Sequence, residues 1–235
     1  MPTISYLILI VFVTVVGIVD TCSQIPESKG KSKISNRSVK NLHQCSCQRN
    51  PEVVSSVDCD VNLISRGAKL YWQVNCKRAW LTLEQKTGTH ILLDEIPFEL
   101  ASDTYRLGFH LIREFKETLL FRGGCPANGP CIYSLINKTT GKLVRRFPQL
   151  IQIDTDTGEN PRKYPYDFVV YLSDDMKWIN VYFVNKKRSV RSAFRDRLTG
   201  IIPAYEFTDM KVERDQLVMK YNDGSGKKVF RMKIN

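Results

Sequence analysis

The chain is predicted to be all-β, an antiparallel meander folded as a sandwich or an open barrel. Three observations carry this: period-two alternation of apolar residues, glycine-bearing turns between the alternating runs, and hardly a convincing helix after about Asp58. Side chains along a strand point to opposite faces in turn, so alternation marks a sheet with one face in a core. Of the 235 residues, 43% are hydrophobic and 25% charged, ordinary globular composition that builds a core without depending on crosslinks.

Taken in order, "KLYWQVN" sets Leu70, Trp72 and Val74 against Tyr71 and Gln73. "DTYRLGFHLIREFKE" fits either period. As a strand it alternates Tyr105, Leu107, Phe109 and Leu111 against Arg106, Gly108 and His110, and Gly108 would weaken a helix by roughly 1 kcal/mol, so a strand is expected. "WINVYFV" places Ile179, Val181 and Phe183 on one face, and "KVFRMKIN" sets Phe230, Met232 and Ile234 opposite Val229, Arg231 and Lys233. The connections "KTGT" (86–89), "TTGK" (139–142) and Asn222-Asp223-Gly224 offer glycine where a tight hairpin needs positive φ. "AWLTLEQKTGTHILL" and "CIYSLINKTTGKLVRR" also echo one another, with Gly88 and Gly141 53 residues apart. Recurrent groups of short strands at such a spacing offer an alternative architecture, a small β-propeller-like repeat of blades.

The first residues stand apart. An almost unbroken apolar run spans residues 6–19 and is followed by Asp20, the layout of a secretory segment and its cleavage zone. No Lys or Arg precedes the run, and Thr21 and Ser23 are the best-fitting small residues for cleavage. Residues 1–23 are therefore expected to be a signal peptide or N-terminal anchor. The run is short for a hydrocarbon core of about 30 Å, which disfavours the anchor. A third route, a lipoprotein with lipid on Cys22, fits poorly because Asp20 and Thr21 precede it. All three routes export the remainder of the chain, to the periplasm, the outer envelope or the medium.

Residues 24–44 carry Lys29, Lys31, Lys33, Arg37 and Lys40 among few apolar residues, and are expected to form a flexible basic tether. Residues 45–235 then form a single β-rich domain. The net charge of +11 draws such a chain towards anionic lipid, polysaccharide or nucleic acid.

With Cys22 assigned to the export segment, six cysteines remain, an even number in an oxidising compartment. "CPANGPC" lies between the runs "TLLFR" and "IYSLI", so Cys125 and Cys131 are expected to staple the mouth of one hairpin. Cys45, Cys47, Cys59 and Cys76, with His43 nearby, have the number of soft ligands for tetrahedral zinc, yet lack paired Cys-x-x-Cys knuckles. Two disulfides, with the pairing left open, account for the same four residues, and no cofactor is expected.

"NKKRSVRSAFRDR" gathers Lys186, Lys187, Arg188 and Arg191, followed by Arg195 and Arg197. On a hairpin this run offers a basic surface to phosphates or sulfated sugars, and its plainer reading is a solvated turn. Only Phe194 interrupts it, so it gives no specific nucleic-acid signal. "DTDTGEN" (154–160) opens like a calcium loop but reaches Pro165 where an acidic ligand belongs, and reads as a polar connection. Asn36 and Asn137 begin glycosylation sequons. The chain contains no G-x-S-x-G, H-E-x-x-H, P-loop or G-x-G-x-x-G, so no catalytic residue is assigned. His90 with Asp94, or His110 with Glu114, are the remaining acid–base pairs of interest.

"YRLGFHLIREFKETLLFRGGCPANGPCIYSLINKTTGK" resembles a pattern in small exported β-rich bacterial proteins of unassigned function. The resemblance covers about a third of the chain at most; it implies an envelope location and brings no catalytic or binding residue. The expected function is a non-enzymatic envelope or secreted binding module. Its partner is an anionic envelope component or another protein, and it meets membrane only through the N-terminal segment. An extracytoplasmic hydrolase and a cysteine-ligated metal protein are the alternatives.

Overall fold

The computed structural model describes residues 44–147, 149–151 and 166–235. The chain divides into two units, Met1–Ser38 and Val39–Asn235, and every described residue belongs to the second. The export segment, nearly all of the tether, His43 and the 154–160 segment lie outside the described residues.

Fifteen strands among the described residues form four antiparallel sheets, each laid down in chain order. The first holds β1 (Asn62–Ile64), β2 (Ala68–Val74), β3 (Arg78–Glu84) and β4 (His90–Pro97). The second holds β5 (His110–Glu114), β6 (Thr118–Gly123), β7 (Ile132–Asn137) and β8 (Leu143–Phe147). The third holds β9 (Gln149–Leu150), β10 (Phe168–Leu172), β11 (Trp178–Phe183) and β12 (Arg188–Ala193). The fourth has three strands, β13 (Phe207–Glu213), β14 (Gln216–Asn222) and β15 (Lys227–Lys233). The all-β antiparallel meander is thus as expected. The sheets pack face to face as in a sandwich, and each keeps two free edges, so none closes into a barrel.

Packing is decided by alternation in the second sheet. Leu119 and Phe121 of β6, with Ile136 of β7, join the core built by Leu70, Trp72, Val74, Leu81 and Leu83 of the first sheet. Their neighbours Leu120, Tyr133 and Leu135 point the other way, into the core shared with the third and fourth sheets. A sheet covered on both faces reads as a continuous apolar run, which is why "TLLF" does not alternate. Polar groups complete the join. Lys138 Nζ and Ser65 Oγ both donate to the Glu114 carboxylate, tying the loop after β1 to β5 and to the turn after β7.

The echoed segments are equivalent hairpins. Each connects the third and fourth strands of its sheet, with Gly88 at φ +81° and Gly141 at φ +66°. The two turns also touch, through Gln85 Nε2 donating to the Lys138 carbonyl at 2.6 Å. The third sheet repeats the hairpin between β11 and β12, with Lys187 at φ +50° in the left-handed position. That copy has no glycine, so the sequence does not display it.

"DTYRLGFHLIREFKE" departs from expectation. A short helix, α1 (Thr104–Leu107), precedes β5, and only His110–Glu114 are strand. Gly108 closes the turn with its N–H on the Thr104 carbonyl at 2.8 Å. A Cβ there would lie 2.5 Å from a ring carbon of Trp72 and 2.7 Å from that carbonyl. The glycine is required by close packing where helix gives way to strand.

Both the apolar join and the polar tie can be tested by substitution. Phe121→Ala, which empties a fully buried site between the first and second sheets, costs about 3–5 kcal/mol in denaturant unfolding; a loss under about 1 kcal/mol would show that this face is not packed. For Glu114, burial acts to raise its pKa, but the hydrogen bonds from Lys138 and Ser65 win and hold it below 4.5. Its contribution is therefore present above the unfolded value and lost as pH falls through the folded one. The melting-temperature gap between wild type and Glu114→Gln is expected to be widest near neutral pH and to shrink below about pH 4.

Candidate functional site

The cysteines remove one alternative. Three pairs lie at disulfide distance: Cys45 with Cys59 (Cα–Cα 6.4 Å), Cys47 with Cys76 (5.0 Å) and Cys125 with Cys131 (4.0 Å). The last pair bridges the β6–β7 connection, as expected of a hairpin staple. The other two fasten the segment around Gln44, itself hydrogen-bonded alongside Val74 of β2, to the first sheet. The four sulfurs that zinc would need are divided between two pairs, so the tetrahedral arrangement is not formed. Among the described residues no group of three or more His, Cys, Asp or Glu is gathered for a metal.

The histidine pairs are not brought together either. His90 faces Glu84 at 3.8 Å, and His110 Nε2–H donates to the Thr104 carbonyl at 3.0 Å. Burial pushes the pKa of His110 down, against the pull of that hydrogen bond. Asp94 accepts from the backbone N–H groups of Phe109 (2.9 Å) and Glu95 (3.0 Å), and burial, outweighing them, raises its pKa. Glu114 is taken by Lys138 and Ser65. Two surface grooves, one lined by Lys77, Arg78 and Glu95 and another by Asn62, Leu63, Arg113 and Glu114, include neither histidine.

The basic run is the one motif that gains from the fold. Lys186 and Lys187 form the tip of the β11–β12 hairpin, and Arg188 and Arg191 stand exposed on β12, the outermost strand of the third sheet. The outermost strand of the second sheet, β8, brings Arg145 beside them, and Arg146 follows it on the other face of the strand. Arg145 donates to Tyr171 Oη at 2.7 Å and reaches Ser189 Oγ of β12 at 3.5 Å. These six cations share no ion pair with any described carboxylate; the described pairs all involve other groups. On β15 of the fourth sheet Lys228 is held by Asp223 and Asp196 and Arg231 by Glu213, while Lys227 and Lys233 enter no described ion pair.

Aromatic rings seat the cations. The Arg145 guanidinium lies 4.7 Å from the Tyr182 ring centre and 5.6 Å from that of Tyr171. Arg191 lies 4.5 Å over Trp178, and Arg188 4.8 Å over Phe183, which Lys186 also approaches at 5.8 Å. A cation over a ring face is attracted by the ring quadrupole, and its side chain is partly ordered before any ligand arrives. The sequence run shows only Phe194 because the rings come from β11, the hydrogen-bonded partner of β12, and from the neighbouring β10. The register pairs Arg188 with Phe183 and sets Arg191 diagonal to Trp178.

No protein-family model matches the chain, and no curated protein matches it. Among solved structures, that of BamB from Moraxella catarrhalis is similar over 72% of this chain and 62% of its own, with 11% identity and a TM-score of 0.25. The chain spans less than two thirds of that protein, and a superposition this loose carries no functional meaning.

Lys187 holds a left-handed backbone that the equivalent turns give to glycine. A side chain there carries a steric penalty, so Lys187→Gly is expected to stabilise the protein by roughly 0.5–1 kcal/mol in thermal or denaturant unfolding. A destabilised variant would show that the lysine contributes packing the turn needs.

Proposed function

We propose that this protein is an exported, non-catalytic interaction module that holds an anionic partner on the outer edge formed by β8 and β12. The observation that carries the reading is the set of six cations without ion-pair partners among the described carboxylates, three arginines and a lysine of which rest on aromatic rings. A guanidinium stacked on a ring presents its N–H groups in the ring plane, where those not already donated can meet oxyanions, and cations on neighbouring strands repel less when an anion docks. Export is supported by the apolar N-terminal run together with three cysteine pairs at disulfide distance, a combination suited to an oxidising compartment. The domain is then residues 45–235, carried on the basic tether.

The tether is itself cationic, so the test is matched in charge. The triple variant Lys186→Gln/Arg188→Gln/Arg191→Gln and the tether variant Lys29→Gln/Lys31→Gln/Lys33→Gln each remove three positive charges. On immobilised dextran sulfate, the edge variant of the full chain is expected to elute at clearly lower salt with binding weakened at least tenfold. The tether variant stays within about threefold of wild type, and unchanged circular dichroism shows that both are folded. Equal losses in the two variants, or no loss in the edge variant, would overturn the assignment.

A further inference from the structure

Building on the anionic-partner reading, we infer that the partner is a linear polyanionic polysaccharide running from β8 to β12 across the seam between the second and third sheets. Three features of that seam select the class. The first is direction. Arg145 stands on β8 yet reaches Ser189 and the Tyr182 ring of the next sheet. The cross-strand pairs Ser189–Tyr182 and Asn180–Arg191 share that face. The cations to be neutralised therefore lie on both sides of a seam. A strand added to the free edge of β12 would follow one sheet only, so an acidic peptide bound by backbone pairing leaves the β8 arginines unmet.

The second feature is the state of the rings. Tyr182, Trp178 and Phe183 each already carry a cation on a face, and Tyr182 is buried. Single-stranded nucleic acid binds such grooves by laying bases on open aromatic faces, and those faces are taken here. The third is what stands between the charges. On the seam face of β12 Ser189 neighbours Arg191, with Asn180 opposite Arg191, so hydroxyl and amide groups stand beside that guanidinium, while Arg188 lies on the other face of the strand. That is the complement of a chain bearing hydroxyls and anionic groups by turns. A lipid surface would instead want apolar side chains among the cations of both strands. Leu143 and Val144 supply them on β8, but β12 exposes none as large.

The experiment titrates the full chain with sulfated oligosaccharides of graded length. It adds inorganic polyphosphate, poly-glutamate, oligo-thymidylate and phosphatidylglycerol vesicles at matched charge. Affinity is expected to rise with oligosaccharide length until both strands are engaged and then level off. For the longest oligosaccharides it should exceed that for every other probe at least tenfold, with log K falling with log salt at a slope of about −3 for the four contacts Arg145, Arg191, Lys186 and Lys187. Arg145→Gln should lower binding of long oligosaccharides about tenfold and leave the shortest unchanged. Ser189→Ala should weaken oligosaccharide binding several-fold without changing polyphosphate binding, a readout that loss of charge or of fold does not give. Length-independent binding, or equal or tighter binding of polyphosphate, poly-glutamate, oligo-thymidylate or vesicles, overturns the inference. If the triple edge variant then loses every polyanion alike, the anionic edge stands and only the polysaccharide assignment falls. If it binds all probes as wild type does, both fall.

Discussion

The second sheet is buried on both faces, and the remaining architecture is governed by that constraint. Leu119 and Phe121 belong to one core while Leu120, between them, belongs to the other. A slip of one residue in β6 would exchange the two sets and present each core with the wrong side chains. The register is therefore specified twice, once by each neighbour. The polar tie of Ser65, Glu114 and Lys138 at the end of this sheet is consistent with that, because its members come from two sheets and meet only when the register is correct.

Stacking meanders in this way also decides where free surface is found. The middle strands are spent on cores, and each sheet leaves its last strand as an outer edge. Free edges invite pairing with other chains, and charged side chains are a common defence. Edge protection alone asks only for charge along the strand. It gives no reason for Arg145 to be hydrogen-bonded to Tyr171 and Ser189, nor for Arg191 to lie over Trp178. The outer strand of the fourth sheet follows that pattern in part: Lys228 and Arg231 are paired with carboxylates, while Lys227 and Lys233 enter no described ion pair. On β8 and β12 the arginines are seated on rings and hydroxyls instead of on described carboxylates.

Much of the strand content is legible in the sequence because alternation and turn chemistry are local. "WINVYFV" and "KVFRMKIN" form β11 and β15; Ile179, Val181, Met232 and Ile234 are buried as expected, Phe183 and Phe230 are half-buried, and Tyr182 on the other face of β11 is buried as well. The hidden features depend on partners distant in sequence. Gln73 reads as a solvent-facing residue of an alternating strand but is buried, its amide satisfied by Thr82 on β3 at 2.8 Å. The pairing of Cys45 with Cys59, and of Cys47 with Cys76, depends on the course of the chain around the first sheet. The helix before β5 is concealed because Gly108 reads as a helix breaker, whereas it ends the helix by fitting against Trp72. The basic run itself is visible; the aromatic seats beneath it are not, since register places them there.

Lys187 joins the repeat to the site. Three equivalent hairpins need one residue with positive φ, and in two of them glycine supplies it at little steric penalty. The third uses lysine in the same conformation, at the tip of the most cationic turn of the described domain. A side chain in this conformation raises the energy of the folded backbone, where a neighbouring turn shows the relaxed solution. Its position beside Lys186 and Arg188 extends the uncompensated charge to the end of the strand. Met176 and Arg214 hold the same conformation in the turns before β11 and β14, so a non-glycine residue in this position is a recurrent local solution in this fold.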